Sequence, residues 1–356
     1  MSSVSILIAA LAFAVQARFF YAGGDPSEIP EVEARGGVYK VSGHPVDPLV
    51  AMKQAGWTAV RLRVWNAPTE GFCDKAHTLA LAKRVHAAGL RLMIDFHYSD
   101  WWADPGKQNK PAAWASLTVP QLEKAVHDYT YDVVKSLADQ GTPADVVQPG
   151  NEVTNGMLWP DGRIHVNTDG WNSFMALTKA AIAAIREAGG AHPPKIMIHI
   201  DQGGNNSVTR YWFDNYFSRG GECDLIGLSY YPMWHGTLEQ LRANLAFIAK
   251  TYKKDVMVAE TAFPSSGWNE QTRRVDPDAT PVPGIKSSPE GQAIFLKRLL
   301  DVVKATPGGH GVGVLWWAPA WIGSRGAGGG WSRYTLFNGE TGEALPGLFT
   351  LGGKKE

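Results

Sequence analysis

Eight short apolar runs, separated by stretches of helical character, restrict this chain to a parallel β/α architecture. The runs are Phe20–Gly23, Ala59–Trp65, Arg91–His97, Val146–Gly150, Lys195–Asp201, Leu225–Tyr231, Val256–Thr261 and Val312–Trp317. They lack the alternation of a strand with one wet face, so burial on both faces is expected, as in parallel sheets. Asp74–Ala88 carries Leu79, Ala80 and Val85 near helical spacing and stops at Gly89. Pro120–Gln140 follows Thr118 and ends at Gly141, while Thr237–Thr251 and Pro289–Ala305 start at the capping residues Thr237 and Ser288. Repeated strand–helix alternation without a composition break predicts an α/β fold of one closed (β/α)8 TIM barrel. An open doubly wound sheet would carry a glycine-rich phosphate loop after its first strand. Gly23-Gly24-Asp25-Pro26 lacks that spacing.

The first residues follow a different pattern. Val4–Val15 is almost unbroken apolar sequence, too short for a transmembrane helix and suited to the core of a secretion signal. Small residues Ala14 and Ala17 place cleavage near Ala17-Arg18. Residues 1–17 are therefore expected to be a signal peptide, 18–356 the catalytic barrel, and the protein secreted or periplasmic. Formal net charge is zero, from 34 basic and 34 acidic residues, which argues against a nucleic-acid partner. No later run is long and apolar enough to span a membrane. Cys73 and Cys223 fall at opposite ends of the expected barrel, so two free thiols are expected; they are too few for a zinc site. No feature demands an interface, and a monomer is expected.

Barrel enzymes build their sites from the loops at the C-terminal ends of the strands. Two glutamates fall there: Glu152 after the fourth run and Glu260 at the end of the seventh. Hydrolysis of a glycosidic bond needs such a pair, one carboxyl protonated for the leaving oxygen and one ionised. Asn151 sets an amide beside Glu152. Arg63, inside the second run, needs a carboxylate partner if it faces inward. His97, His199, Asp201, Tyr230, Tyr231 and Trp317 close other runs at the same end. Of the fourteen Trp, several lie in the loops, among them Trp101, Trp102, Trp234, Trp321 and Trp331. Flat aromatic faces suit the apolar C–H faces of sugar rings.

Several segments together resemble the endo-β-1,4-galactanases of glycoside hydrolase family 53. They are Phe96-His97-Tyr98-Ser99-Asp100-Trp101-Trp102-Ala103-Asp104-Pro105-Gly106-Lys107-Gln108, Gly150-Asn151-Glu152-Val153-Thr154-Asn155-Gly156-Met157-Leu158-Trp159-Pro160, Ser229-Tyr230-Tyr231-Pro232, Val258-Ala259-Glu260-Thr261 and Trp317-Ala318-Pro319-Ala320-Trp321-Ile322-Gly323. The resemblance implies a retaining endo-glycosidase acting on the β-1,4-galactan side chains of pectin, with Glu152 as acid/base and Glu260 as nucleophile. It implies substrate contacts from Arg63, His97, Asp100, Trp101, Asp104, Asn151, His199, Asp201, Trp317, Trp321 and either Tyr230 or Tyr231. No cofactor is implied. Some bacterial relatives bind calcium in the last long loop, but Gly323–Trp331 holds no Asp or Glu, so no metal is expected. Departures such as Gly203-Gly204-Asn205 after the fifth run and Ala318 after the eighth spare both glutamates and bear on subsites and product length.

Three rivals remain at this level. A barrel of the same clan could cut mannan, xylan or β-glucan instead. A non-catalytic sugar-binding barrel would be expected to have lost one of the two carboxylates. A metal-dependent hydrolase could use His97, His199, Asp201 and His235, yet Phe20–Asp25 has no His-x-His motif.

Overall fold

The computed structural model describes residues 18–164, 170–269, 274–275, 280–323 and 331–354. Residues 1–17, expected to be a signal peptide, and residues 324–330 of the glycine-rich loop lie outside the described residues.

Eight parallel strands close into a barrel: β1 (Tyr21–Asp25), β2 (Ala59–Val64), β3 (Arg91–Phe96), β4 (Val146–Pro149), β5 (Lys195–Ile200), β6 (Leu225–Ser229), β7 (Asp255–Thr261) and β8 (Gly311–Trp317). They pair in sequence order, and β1 closes the ring by pairing with both β8 and β2. Closure brings β1 and β2 very near each other: a Cβ at Gly23 would lie 1.8 Å from the Ala59 carbonyl oxygen, so only glycine fits there. Met93, Met197, Leu225, Met257 and Leu315 fill the barrel interior. A second, larger apolar layer packs the outer strand faces against the surrounding helices. That double burial is why the runs are mostly apolar, with polar residues such as Arg61, Asp95 and Gln148 on the inward face near the rim.

Helices follow the strands: α1 (Ile29–Ala34), α2 (Pro48–Gln54), α3 (Lys75–Ala87), α4 (Val119–Asp139), α5 (Gly170–Gly189), α6 (Asn206–Ser218), α7 (Leu238–Thr251), α8 (Pro289–Lys304) and α9 (Pro346–Gly352). The expected caps form: Thr237 Oγ1 accepts from the Gln240 amide and Ser288 Oγ from the Gly291 amide. Cys73 and Cys223 are buried and free.

At the C-terminal rim β2 to β6 end slightly sooner than the apolar runs do. His97, Asp201, Tyr230 and Tyr231 leave the ladder, and the chain then turns sharply. Tyr98, Glu152 and Ala318 adopt positive φ at this rim (49°, 46° and 47°), a conformation that is costly for non-glycine residues and clusters at functional sites.

Candidate active site

Gly150, at φ 96°, turns the chain off β4 and delivers Asn151 and Glu152 to the rim. Across the barrel, the register between β6 and β7 shifts so that Ser229 stands beside Glu260. These two turns of backbone point both glutamates into one cleft of about 510 Å³. Its walls are largely aromatic, with Trp102, Tyr231, Trp234, Trp317, Trp321 and Trp331. Asp104, Asn151, Asp201 and His235 add polar groups.

The two carboxyls are held differently. Glu260 Oε1 accepts from Arg61 Nη2 at 2.6 Å, and its Oε2 accepts from the Tyr231 hydroxyl at 3.0 Å. Burial raises the Glu260 pKa, opposed by the charge and hydrogen bond of Arg61 and by the Tyr231 hydrogen bond. Among the described residues, no cation is paired with Glu152. Its Oε1 accepts from Ser229 Oγ at 2.6 Å. Burial first, then the charges of Glu260 and Asp201, push its pKa well above the usual carboxylate range. Environment thus separates a proton-holding carboxyl from one whose charge is matched by a guanidinium.

Arg61 is fully buried, and its charge is met on several sides. Beyond Glu260, its Nη1 donates to Gln148 Oε1 at 3.1 Å, and Asp25 and Asp95 lie 3.4 and 3.7 Å away. Burial alone would raise the Asp95 carboxyl, but the charges of Arg61 and His97 outweigh it and hold Asp95 low.

Arg63 does not occupy the place expected of it. It lies on the same inward face as Arg61 but pairs with Asp25 at 3.2 Å and Glu28 at 3.8 Å, beneath Trp102, whose ring centroid is 4.4 Å from the guanidinium carbon. The indole roofs it over, so it does not line the cleft. The strand-2 arginine on the glutamate is Arg61, two residues earlier in the same run. Strand alternation puts both on one face, and only the partners contributed by other strands distinguish them.

The remaining predicted residues divide into those on the cleft and those behind it. Asp104, Asn151, Asp201, Tyr231, Trp317 and Trp321 line it. Asp100 instead braces a loop, accepting from the Ala67 and Ala112 amides at 2.9 and 2.8 Å. Trp101 packs on Trp65 with ring centroids 4.8 Å apart. His97 is buried against Asp95, its Nδ1 accepting from the Ala103 amide. His199 is fully buried behind Ser229, 2.9 Å from its hydroxyl. Tyr230 turns away and donates to the Gly236 carbonyl at 2.9 Å, which resolves the choice between the two tyrosines in favour of Tyr231. Asp95, Gln148, Ser229 and Lys107 were not singled out from sequence. Asp95 and Gln148 are polar residues inside apolar strands, and that was the available signal. Among the described residues, no group of three or more His, Cys, Asp or Glu could hold a metal ion.

A closed parallel barrel with two such carboxyls in an aromatic cleft at its C-terminal rim defines a glycoside hydrolase. Residues 21–351 match the model of glycosyl hydrolase family 53, and the chain belongs to that family. An uncharacterized protein of Niallia circulans is 43% identical over 90% of each chain. The arabinogalactan endo-beta-1,4-galactanase of Thermothelomyces thermophilus is 36% identical over 92% of this chain and 97% of its own. A solved fungal beta-1,4-galactanase superposes with a TM-score of 0.83 at 34% identity, covering 93% of this chain and 98% of that one.

Proposed function

We propose that this enzyme is a secreted, monomeric endo-β-1,4-galactanase that cleaves the galactan side chains of pectin with retention of configuration. The observation that carries the reading is the unequal pair in the cleft: Glu260 clamped by Arg61 and Tyr231, Glu152 buried with no paired cation among the described residues. Similarity to enzymes named as galactanases supports the choice of substrate.

In the first step Glu260 attacks the anomeric carbon while Glu152 gives its proton to the departing glycosidic oxygen. The C–O bond breaks, a glycosyl ester forms on Glu260, and the galactan fragment leaves as an alcohol. In the second step Glu152, now a carboxylate, takes a proton from water as that water attacks the same carbon and displaces Glu260. Arg61 and Tyr231 hold Glu260 in orientation for both displacements. Trp317, Trp321 and Trp102 form a wall against which sugar rings pack. No cofactor enters the cycle. Residues 1–17 serve as the secretion signal.

The test is reducing-sugar release from β-1,4-galactan, with β-mannan and β-glucan alongside, by wild type, Glu152→Gln and Glu260→Gln. Strong galactan cleavage that both variants lose supports the assignment, and nuclear magnetic resonance should show the β-anomer forming first. Activity confined to mannan or glucan would overturn the substrate, and an α-anomer first would overturn the mechanism.

A further inference from the structure

Ser229 closes β6, and the reading above gives it no part. Its hydroxyl lies between two groups: 2.6 Å from Glu152 Oε1 and 2.9 Å from His199 Nε2. Ser229 and His199 are both fully buried, so water does not take over either contact. Behind His199 stand Gln148 Nε2 and Asn151 Oδ1, each 3.1 Å from Nδ1. Gln148 is held in turn by Asp95 at 2.6 Å and Asn151 by the Ala103 carbonyl at 2.9 Å. Glu152 Oε2, by contrast, makes no hydrogen bond among the described residues, and Glu152 lines the cleft.

We infer that Ser229, oriented by His199, is a positioning residue for the acid/base: its hydroxyl occupies Glu152 Oε1, so that the transferable proton sits on Oε2, facing the scissile bond. The inference rests on Glu152 being the acid/base. A serine hydroxyl has one proton to give. With His199 donating from Nε2 to Ser229 and accepting from Gln148 Nε2 at Nδ1, the serine proton points to Glu152; a ring donating instead from Nδ1 to Asn151 Oδ1 would turn that proton to His199, and a downward shift of the alkaline limb in Ser229→Ala would then overturn the inference. The hydrogen bond then serves both steps. It leaves Oε2 to release its proton to the leaving oxygen, and it stabilises the carboxylate left behind. His199 suits this part as a neutral ring, since burial and then the charge of Arg61 hold its pKa well below the ordinary value. The charged and titratable groups facing His199 are Arg61, Asp95, His97 and His235; those facing Glu152 are Glu260, Asp201 and Asp104. His199 is thereby removed from the substrate contacts and placed behind Ser229, two hydrogen bonds from the acid.

The experiment compares wild type, Ser229→Ala, Ser229→Thr and Glu152→Ala on galactan and on a dinitrophenyl β-galactobioside, whose leaving group departs without a proton. Ser229→Ala should keep the initial burst of dinitrophenol, because glycosyl transfer to Glu260 does not need the acid there. It should lose about tenfold or more in kcat on galactan, the scale of a weakened general acid. The alkaline limb of its pH profile should move up by about one unit, since a donor to the carboxylate is gone. Ser229→Thr, which keeps the hydroxyl, should restore the wild-type profile. A Ser229→Ala profile that overlies the wild type, or a lost burst, overturns the inference. If Glu152→Ala itself loses the burst, the acid/base assignment fails and takes this inference with it.

Discussion

Arg61 Nη2 lies 2.6 Å from Glu260 Oε1, entirely inside the protein. A salt bridge so deeply buried is costly to break from one side, because its partners stay charged. Arg61→Leu would strand Asp25, Asp95 and Glu260 together. Unfolding by denaturant should show a loss of about 3–5 kcal/mol. Arg61→Lys keeps the charge but not the planar fork, so it should fold better yet lose about 10²-fold in kcat, the scale of a missing electrostatic contact at the reacting group. Its acidic limb should move to higher pH, since a weaker clamp leaves Glu260 easier to protonate.

The paired tyrosines should separate cleanly. Tyr231→Phe removes the donor to Glu260 Oε2 and should lower kcat on galactan about tenfold, the worth of one hydrogen bond to a charged group. Tyr230→Phe removes only a bond to the Gly236 carbonyl and should cost about 1 kcal/mol of stability with kcat nearly unchanged. Equal losses of kcat in both would contradict the geometry.

Glu28 should make stability depend on pH. Its carboxyl is fully buried, accepts from the Ala320 amide at 2.8 Å, and is pushed by burial to about 8, against the opposing charge of Arg63. Because the folded value lies above the unfolded value of 4.5, folding retains a proton that the open chain releases. The stabilising contribution is complete below pH 4.5 and is lost as pH rises through about 8. Thermal melts across this window should show wild type losing roughly a few kcal/mol more than Glu28→Gln, which has nothing to ionise.

Neither thiol should react in the native enzyme. Burial raises Cys73 to about 11 and Cys223 to about 12, leaving little thiolate at pH 8. Ellman's reagent should label both quickly only after unfolding, and fast native labelling of either would contradict its burial.

Trp321 forms part of the cleft wall 6.0 Å from Trp102, between ring centroids. Trp321→Ala should raise KM for galactan by about tenfold, from lost ring contact, and change kcat less. A pure kcat defect would place Trp321 at the reacting bond instead.

The barrel was legible in the sequence because a strand buried on both faces is mostly apolar, and eight such runs lie between helical stretches. Rim position marked Glu152 and Glu260 as a candidate pair for the same reason: each stands where an apolar run ends. Which groups contact them was a different matter. Arg61 and Arg63 share a face of β2, and only Glu260 from β7 and Trp102 from the loop after β3 distinguish them. Tyr230 and Tyr231 are neighbours in one motif, and the turn leaving β6 decided which faces the cleft. Asp100 and Trp101 sit inside the segment that carries the resemblance, yet they brace and pack the loop. Period and polarity are local properties and survive in a linear sequence. A hydrogen bond between β2 and β7 joins residues far apart in the chain, and only closure of the barrel brings them within reach.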